Sequence, residues 1–295
     1  MGALEQQKIA FILNKGSGNV WKRALKAQLK EYIEQHTAFP IYETESADES
    51  SKIVRELVAQ RYDAVFACGG DGTLNTVSAE LIHTDTALGI IPFGSGNGFA
   101  RHHKIPLKWK AALNLYKKHR VVVCDTGSIN GKHFVNVAGI GYSAHITKSF
   151  KLDKARGLFG YIKIIFKNLD RDSREFTIRS EKGEWKGQTW TVEFANGTQW
   201  GSNVYLDRTN RLDDNEMTAV IFKKINFLVL PFLAFRVLFN LTRGSSYIDK
   251  LKGSRFDVEY PEILPMHIDG DFAGKSKGQV LVETVPQSLK VWVPK

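Results

Sequence analysis

The sequence predicts an α/β fold in two parts: an N-terminal three-layer domain built on a parallel sheet, and a second, antiparallel β-rich domain of the β-sandwich kind. Three observations predict it. Strand-like and helix-like runs alternate as far as Pro92, the pattern that builds βαβ units with helices on both faces of a sheet. Three glycine-rich clusters each follow a strand, and ligands of such sheets gather at the carboxyl ends of the strands. After Cys124 the strand candidates come in pairs around polar turns, as hairpins do.

Each element has a local cause. Lys8–Leu13 reads as a strand, Val20–Gln35 as a helix with Leu25, Leu29, Tyr32 and Ile33 at helical spacing, and Pro40–Thr44 as a second strand. Ser46 is placed to cap a helix running to about Gln60, with Glu49 at the capping-box position. Asp63–Cys68 is a buried strand, Gly72–His83 a helix and Thr86–Pro92 a strand. Beyond Val121–Cys124 come Thr126–Ile129 and His133–Ala138 around Asn130-Gly131, then Phe176–Ser180 and Trp190–Ala195 around a loop from Glu181 to Gly187. The domains are expected at 1–125 and 126–295, packed across a cleft.

The composition narrows the function. The chain has 295 residues, long enough for two cores. With 43% hydrophobic and 24% charged residues it is an ordinary globular chain rather than a disordered one. A net charge of +10 favours anionic partners without choosing among them. No nucleic-acid motif accompanies the charge, so nucleic acid is not expected. Cys68 and Cys124 each close an apolar run and fit buried thiols in a reducing cytoplasm. The first residues show no secretion signal. The apolar run from Ile225 to Leu241 is interrupted by Asn226, Pro231 and Arg236 and reads as a core helix with a break, or as a surface that touches a membrane. His102-His103 reads as a solvated helix end, and Trp185, Trp190 and Trp200 as core or rim aromatics.

The chemistry concentrates in the glycine clusters Asn14-Lys15-Gly16-Ser17-Gly18, Gly69-Gly70-Asp71-Gly72-Thr73 and Phe93-Gly94-Ser95-Gly96-Asn97-Gly98. At the rim of one sheet their bare amides suit phosphate. Neither the P-loop nor the Rossmann spacing fits: Gly270 to Gly274-Lys275-Ser276 is one residue short, and the third glycine of GxGxxG is missing in both candidate segments. The segment GGDGT followed by Leu74-Asn75, with Pro92-Phe-Gly94-Ser-Gly96-Asn97-Gly-Phe-Ala100-Arg101, resembles the diacylglycerol kinase and sphingosine kinase catalytic-domain family. NAD kinases and phosphofructokinases share GGDGT more distantly. Further matches are Asn14 to Gly18, Thr44, Phe134 to Gly141, Gly157 to Tyr161, Asp213-Asp214 and Ile268-Asp269-Gly270-Asp271, in order over nearly the whole chain.

The resemblance implies a soluble, bacterial-type lipid kinase that uses ATP and Mg2+, with the fold of the NAD-kinase and diacylglycerol-kinase type. It assigns the nucleotide to Asn14, Lys15, Gly16, Ser17, Gly18, Thr44, Gly69, Gly70, Asp71, Gly72, Thr73, Leu74, Asn75, Thr76, Gly94, Ser95, Gly96 and Asn97. Thr44 and Ser17 equally suit capping hydroxyls. Asp71 orients the nucleotide or the acceptor hydroxyl, or else stabilises a turn. It implies Asp271 as proton acceptor with Asp269 beside it, although the family's Glu is Asp here and a solvated turn is the alternative. Asp214, with Arg211 and Glu216, matches a Mg2+ loop, but Asn215 replaces the usual glycine. The expected partners are a lipid substrate, its acyl part held near Tyr161–Phe166 and Phe227–Phe239, and an anionic membrane surface met peripherally from the cytoplasm; a homodimer is compatible. The rival readings are a NAD kinase-like enzyme for another small alcohol, and a catalytically silent nucleotide- and membrane-binding protein.

Overall fold

The computed structural model describes residues 7–15, 20–152, 173–224 and 245–295. The chain divides into two compact units, Met1–Cys124 with Gln287–Lys295, and Asp125–Pro286. The last nine residues thus join the first unit, where the sequence reading keeps them in the second.

In the first unit, β1 (Ile9–Asn14), α1 (Val20–His36), β2 (Ile41–Thr44), α2 (Ala47–Ala59), β3 (Ala64–Gly69), α3 (Asp71–Leu81) and β4 (Ala87–Pro92) alternate as expected. Two short helices follow, α4 (Gly98–His102) and α5 (Trp109–Leu113). β2, β1, β3 and β4 lie side by side in parallel, with Val291 of the returning chain beside Leu88. β1, β3 and β4 read as unbroken apolar runs because both faces of a parallel strand are covered. Leu29 and Ile33 of α1 and Val54 and Leu57 of α2 supply part of that cover. Ser46 caps α2 by accepting the Glu49 N–H (3.1 Å), while the Glu49 carboxylate accepts the N–H of Glu45, one residue earlier than in a regular capping box. Because β2 and β3 flank β1 on opposite sides, the chain reverses direction across the sheet at β1, and the ends of β1 and β3 border a switch point. The glycine-rich loops start there.

β5 (Arg120–Ile129) carries the chain into the second unit, which holds β6 (Lys132–Phe134), β7 (Val137–Gly141), α6 (Tyr142–Leu152), β8 (Arg174–Ser180), β9 (Gly183–Ala195), β10 (Gln199–Gly201), β11 (Val204–Tyr205), β12 (Met217–Lys223), β13 (Ile248–Gly253), β14 (Arg255–Ile268) and most of β15 (Asp271–Val293). The strand pairs of this unit are antiparallel, and the circuit β7–β9–β8–β14–β7 closes on itself. Ile140, Ile178, Phe194, Phe256 and Val258, from all four strands, form one buried cluster. The expected sandwich thus takes the form of a closed circuit of strands.

Three local expectations change. Asn130-Gly131 makes the expected tight turn, both residues at positive φ. The run His133–Ala138, however, splits into β6 and β7, because the amides of Val135 and Asn136 turn to a carboxylate, Asp269. Glu181 to Gly187 is not a loop: Ser180 pairs with Gly183 and the rest is strand, polar in sequence because Glu184 and Gln188 face solvent. His103 is not a solvated helix end either; its ring packs edge-on to Phe99 at 4.6 Å, with Nε2 3.5 Å from Cys124 Sγ. No helix among the described residues is long and apolar enough to cross a membrane.

Candidate active site

The GGDGT loop joins β3 to α3 under tight packing. A side chain on Gly69 would meet the Thr73 side chain at 2.3 Å, and one on Gly94 would come within 3.0 Å of Gly70 Cα. The two loops therefore touch backbone to backbone, and only glycine allows it. The Phe93 N–H donates to the Gly69 carbonyl (2.7 Å), joining the loops at their base. At their tips the Asp71 carboxylate accepts the N–H groups of Asn97 (3.1 Å) and Gly98 (3.2 Å), one on each oxygen.

Asp71 is the first residue of α3 and grips the first turn of α4. Asn97 holds the left-handed conformation (φ +50°) that this bend requires and donates through Nδ2 to the Gly94 carbonyl (3.1 Å). Arg101, which closes the motif, donates to the Gly96 carbonyl (3.0 Å). Ser95, at the tip, is exposed, whereas Asn97 is buried. Gly72, Asn75 and Thr76 are half-buried, Thr73 and Leu74 buried. The Thr76 hydroxyl donates to the Gly72 carbonyl (3.0 Å).

The first loop is described only at Asn14 and Lys15; Gly16, Ser17 and Gly18 lie outside the described residues. Lys15 turns its ammonium to Glu43 (2.5 Å), which also meets Lys30 (3.1 Å). The Lys15 contact holds the Glu43 carboxyl below the usual range. Thr44 is fully buried, and its hydroxyl lies 2.8 Å from that of Ser50 in α2. The sequence reading missed Lys26, which shares the buried face of α1 with Leu29 and Ile33. Its ammonium donates to the Asn14 carbonyl (2.5 Å), fixing the end of β1 where the loop begins. Burial lowers its pKa to about 8, with Lys22 and Arg23 adding repulsion and Cys68 opposing. A lysine inside an otherwise apolar helix face was its only sequence signal.

In the second unit, Asp269-Gly270 forms the two-residue hairpin turn between β14 and β15, both residues at positive φ. The Asp269 carboxylate accepts three consecutive amides, Val135 (3.0 Å), Asn136 (2.9 Å) and Val137 (2.9 Å). It is a backbone clamp. Asp271, half-buried, opens β15 opposite Ile268, on the turn which that clamp fixes. The expected Mg2+ loop is differently engaged. Arg211 grips Asp213 (2.8 and 3.1 Å), Glu216 is paired with Lys182, and Asp214 accepts the Glu216 N–H (3.3 Å). Asn215 adopts the left-handed turn in place of glycine and donates its N–H to Asp125 (2.7 Å). Among the described residues no group of three or more His, Cys, Asp or Glu is placed to hold a metal ion. Gly157 to Tyr161, Tyr161–Phe166 and Phe227–Phe239 lie outside the described residues.

Burial of Lys26 makes a pH prediction. Its folded value lies below its ordinary 10.5, so between about pH 8 and 10 the unfolded chain binds more protons and stability must rise with pH. The burial penalty is complete below pH 8 and is relieved above it. Urea denaturation from pH 7 to 10 should show the wild type gaining stability relative to Lys26→Met across that window. A pH-independent difference would contradict the assignment.

Comparison with known proteins supports the motif reading. Residues 8–129 match the diacylglycerol kinase catalytic domain. The chain is 28% identical to a "Probable lipid kinase YegS-like" of Pseudomonas aeruginosa, over 99% of this chain and 96% of that one. It is 26% identical to its namesake in Yersinia enterocolitica, over 96% of each. A crystal structure of a diacylglycerol kinase from Bacillus anthracis str. Sterne superposes with a TM-score of 0.73 at 18% identity, covering 97% of this chain and 96% of that one; another from the same organism gives 0.79 at 20% identity, covering 97% and 96%. These structures share the mixed α/β fold with its extensive antiparallel sheet. The match of residues 8–129 to the diacylglycerol kinase catalytic domain and the similarity to YegS-like lipid kinases bear out the family resemblance read from GGDGT and the Gly94–Arg101 segment.

Proposed function

We propose that the protein is a lipid kinase that transfers the γ-phosphoryl group of ATP, bound with Mg2+, to a lipid hydroxyl. The observation that carries this reading is the contact of Gly70 with Gly94 under the Asp71 clamp. It brings the N-terminus of an eleven-residue helix beside a second loop of bare amides, and both attract phosphate. Phosphoryl transfer depends on positioning and on charge stabilisation rather than on covalent chemistry by the protein. The Mg2+ that accompanies the nucleotide neutralises phosphate charge.

The chain's own residues divide the remaining work. Asp71 holds the second loop against the first and puts a carboxylate at the phosphate end of the cradle. Gly69, Gly70, Gly72, Gly94 and Gly96 let the backbone approach the phosphates, with Thr73, Ser95 and Asn97 on the rim. Asp271 takes the proton of the acceptor hydroxyl, and Asp269 fixes the turn that carries it. Asp85 and Asp125 bracket a segment with seven Lys or Arg and no acidic residue, in a chain whose net charge is +10. Lys104, Lys108, Lys110, Lys117, Lys118 and Arg120 are exposed there, together with Leu107, Val121 and Val123. Exposed cations mixed with aliphatic side chains suit an anionic bilayer, so this segment is the membrane-facing surface of the first unit.

Transfer of label from γ-labelled ATP to a lipid panel, with NAD as competitor, tests the reading. Wild type should label a lipid and leave NAD unlabelled, and Asp71→Asn should lose at least about 100-fold in turnover while its unfolding midpoint stays close to wild type. Full activity in Asp71→Asn, or labelling of NAD alone, would sink it. Sedimentation with vesicles tests the surface: binding should require phosphatidylglycerol and weaken at least about tenfold in Lys117→Glu/Lys118→Glu. Equal binding to neutral phosphatidylcholine vesicles would refute it.

A further inference from the structure

The Lys26 ammonium has no part in the chemistry assigned above. Lys26 shares the inward face of α1 with Leu29 and Ile33 and is only 4% exposed. Its ammonium donates to the carbonyl of Asn14, the last residue of β1. Asn14 pairs with Thr44 of β2, and Leu13 before it pairs with Cys68 of β3. Gly69 and Gly70 follow Cys68 directly. The charge therefore stands at the carboxyl edge of the sheet, at the strand ends where the Asn14 and GGDGT loops begin.

Packing does not call for a charge at this place. Methionine would fill similar volume without stripping an ammonium of its water, and apolar side chains often match or exceed buried ions in stability. The Asn14 carbonyl, at a strand end, could equally take its hydrogen bond from water. Burial brings the Lys26 pKa down to about 8; Cys68 opposes this, while Lys22 and Arg23 of the same helix add to it. Burial pushes the Cys68 thiol up, so that neighbour stays neutral. A local rule broken at such cost is the mark of a functional position. A cation shielded from water acts more strongly and is less screened than one at the surface, and a polyanion at the loops would feel it most.

We propose that Lys26 is a positioning residue for the nucleotide: its ammonium holds the Asn14 carbonyl and sets a fixed positive charge at the β1 and β3 ends, where it attracts the polyphosphate and not the nucleoside. The nucleotide as the anion rests on the kinase reading; the burial of Lys26 and its bond to Asn14 do not. Lys26 takes no part in the proton transfer assigned to Asp271.

Two variants separate the charge from the hydrogen bond. Lys26→Met removes both, whereas Lys26→Gln keeps an amide donor for Asn14 without the charge. Calorimetric titration of the full-length protein with a non-hydrolysable ATP analogue and Mg2+, and saturation-transfer spectra with adenosine, read the two parts of the nucleotide. Both variants should bind the analogue at least about fivefold more weakly than wild type and adenosine equally well. In the label-transfer assay the KM for ATP should rise with kcat unchanged. Wild-type affinity for the analogue in Lys26→Gln would overturn the assignment, and so would an equal loss of adenosine, which marks a merely structural role. Either result, with wild type still binding the analogue and transferring label, leaves the kinase reading standing. If Lys26→Met does not fold, Lys26→Gln carries the comparison. A wild type that neither binds the analogue nor transfers label would sink the kinase reading and the role of Lys26 with it.

Discussion

Two amides on one carboxylate set the geometry of the first unit. Asp71 lies at the start of α3, and the Asn97 and Gly98 N–H groups it accepts belong to the turn that starts α4. These bonds draw two separate strand-end loops together until Gly70 and Gly94 touch. Everything that suits the rim to phosphate follows: bare backbone, a helix N-terminus, and side chains too small to intrude. A charged acceptor strengthens each bond relative to a neutral one, so the two loops are held together by the chain itself. Such preorganisation lowers the ordering cost of binding.

The second unit uses the same device for another purpose. Asp269 binds three consecutive amides of the β6–β7 junction and thereby fixes both that break and the hairpin turn carrying Asp271. A carboxylate so engaged is a structural part, and Asp271 inherits a defined position from it. Glu193 is a second buried acid beside Asp269 in this unit, gathering indole, hydroxyl and imidazole. Burying polar groups is expensive unless they are well hydrogen-bonded, and Asp269 and Glu193 both are.

Much of the first unit was legible because its strands are buried on both faces and its helices carry clear periodicity; β1 to β4 lie within a residue or two of expectation. The glycine loops were legible for a related reason, since only a close backbone approach demands glycine at Gly70 and Gly94 together. What escaped depends on partners distant in sequence. Nothing near Asp269 announces that its partners are the amides around Asn136, and so the break between β6 and β7 was invisible. The polar run from Glu184 to Gln188 resembled a loop because one face of that strand is bare to solvent. The ion pair of Lys15 with Glu43 forms only because β1 pairs with β2. Thr44, at the end of β2, spends its hydroxyl on Ser50. Glu193 and His267, 74 positions apart, meet only because Gly139 sits between them.

The central claim is that contact between the two glycine-bearing loops makes the nucleotide cradle. Calorimetric titration of a non-hydrolysable ATP analogue with Mg2+ into wild type and Gly94→Ala tests it most directly. The added methyl would lie 2.4 Å from Asn97 Oδ1 and 3.0 Å from Gly70 Cα, so the loops must part. The account predicts binding by wild type and an affinity at least about tenfold lower in the variant, with the protein still folded. Equal affinity in the two proteins would contradict it.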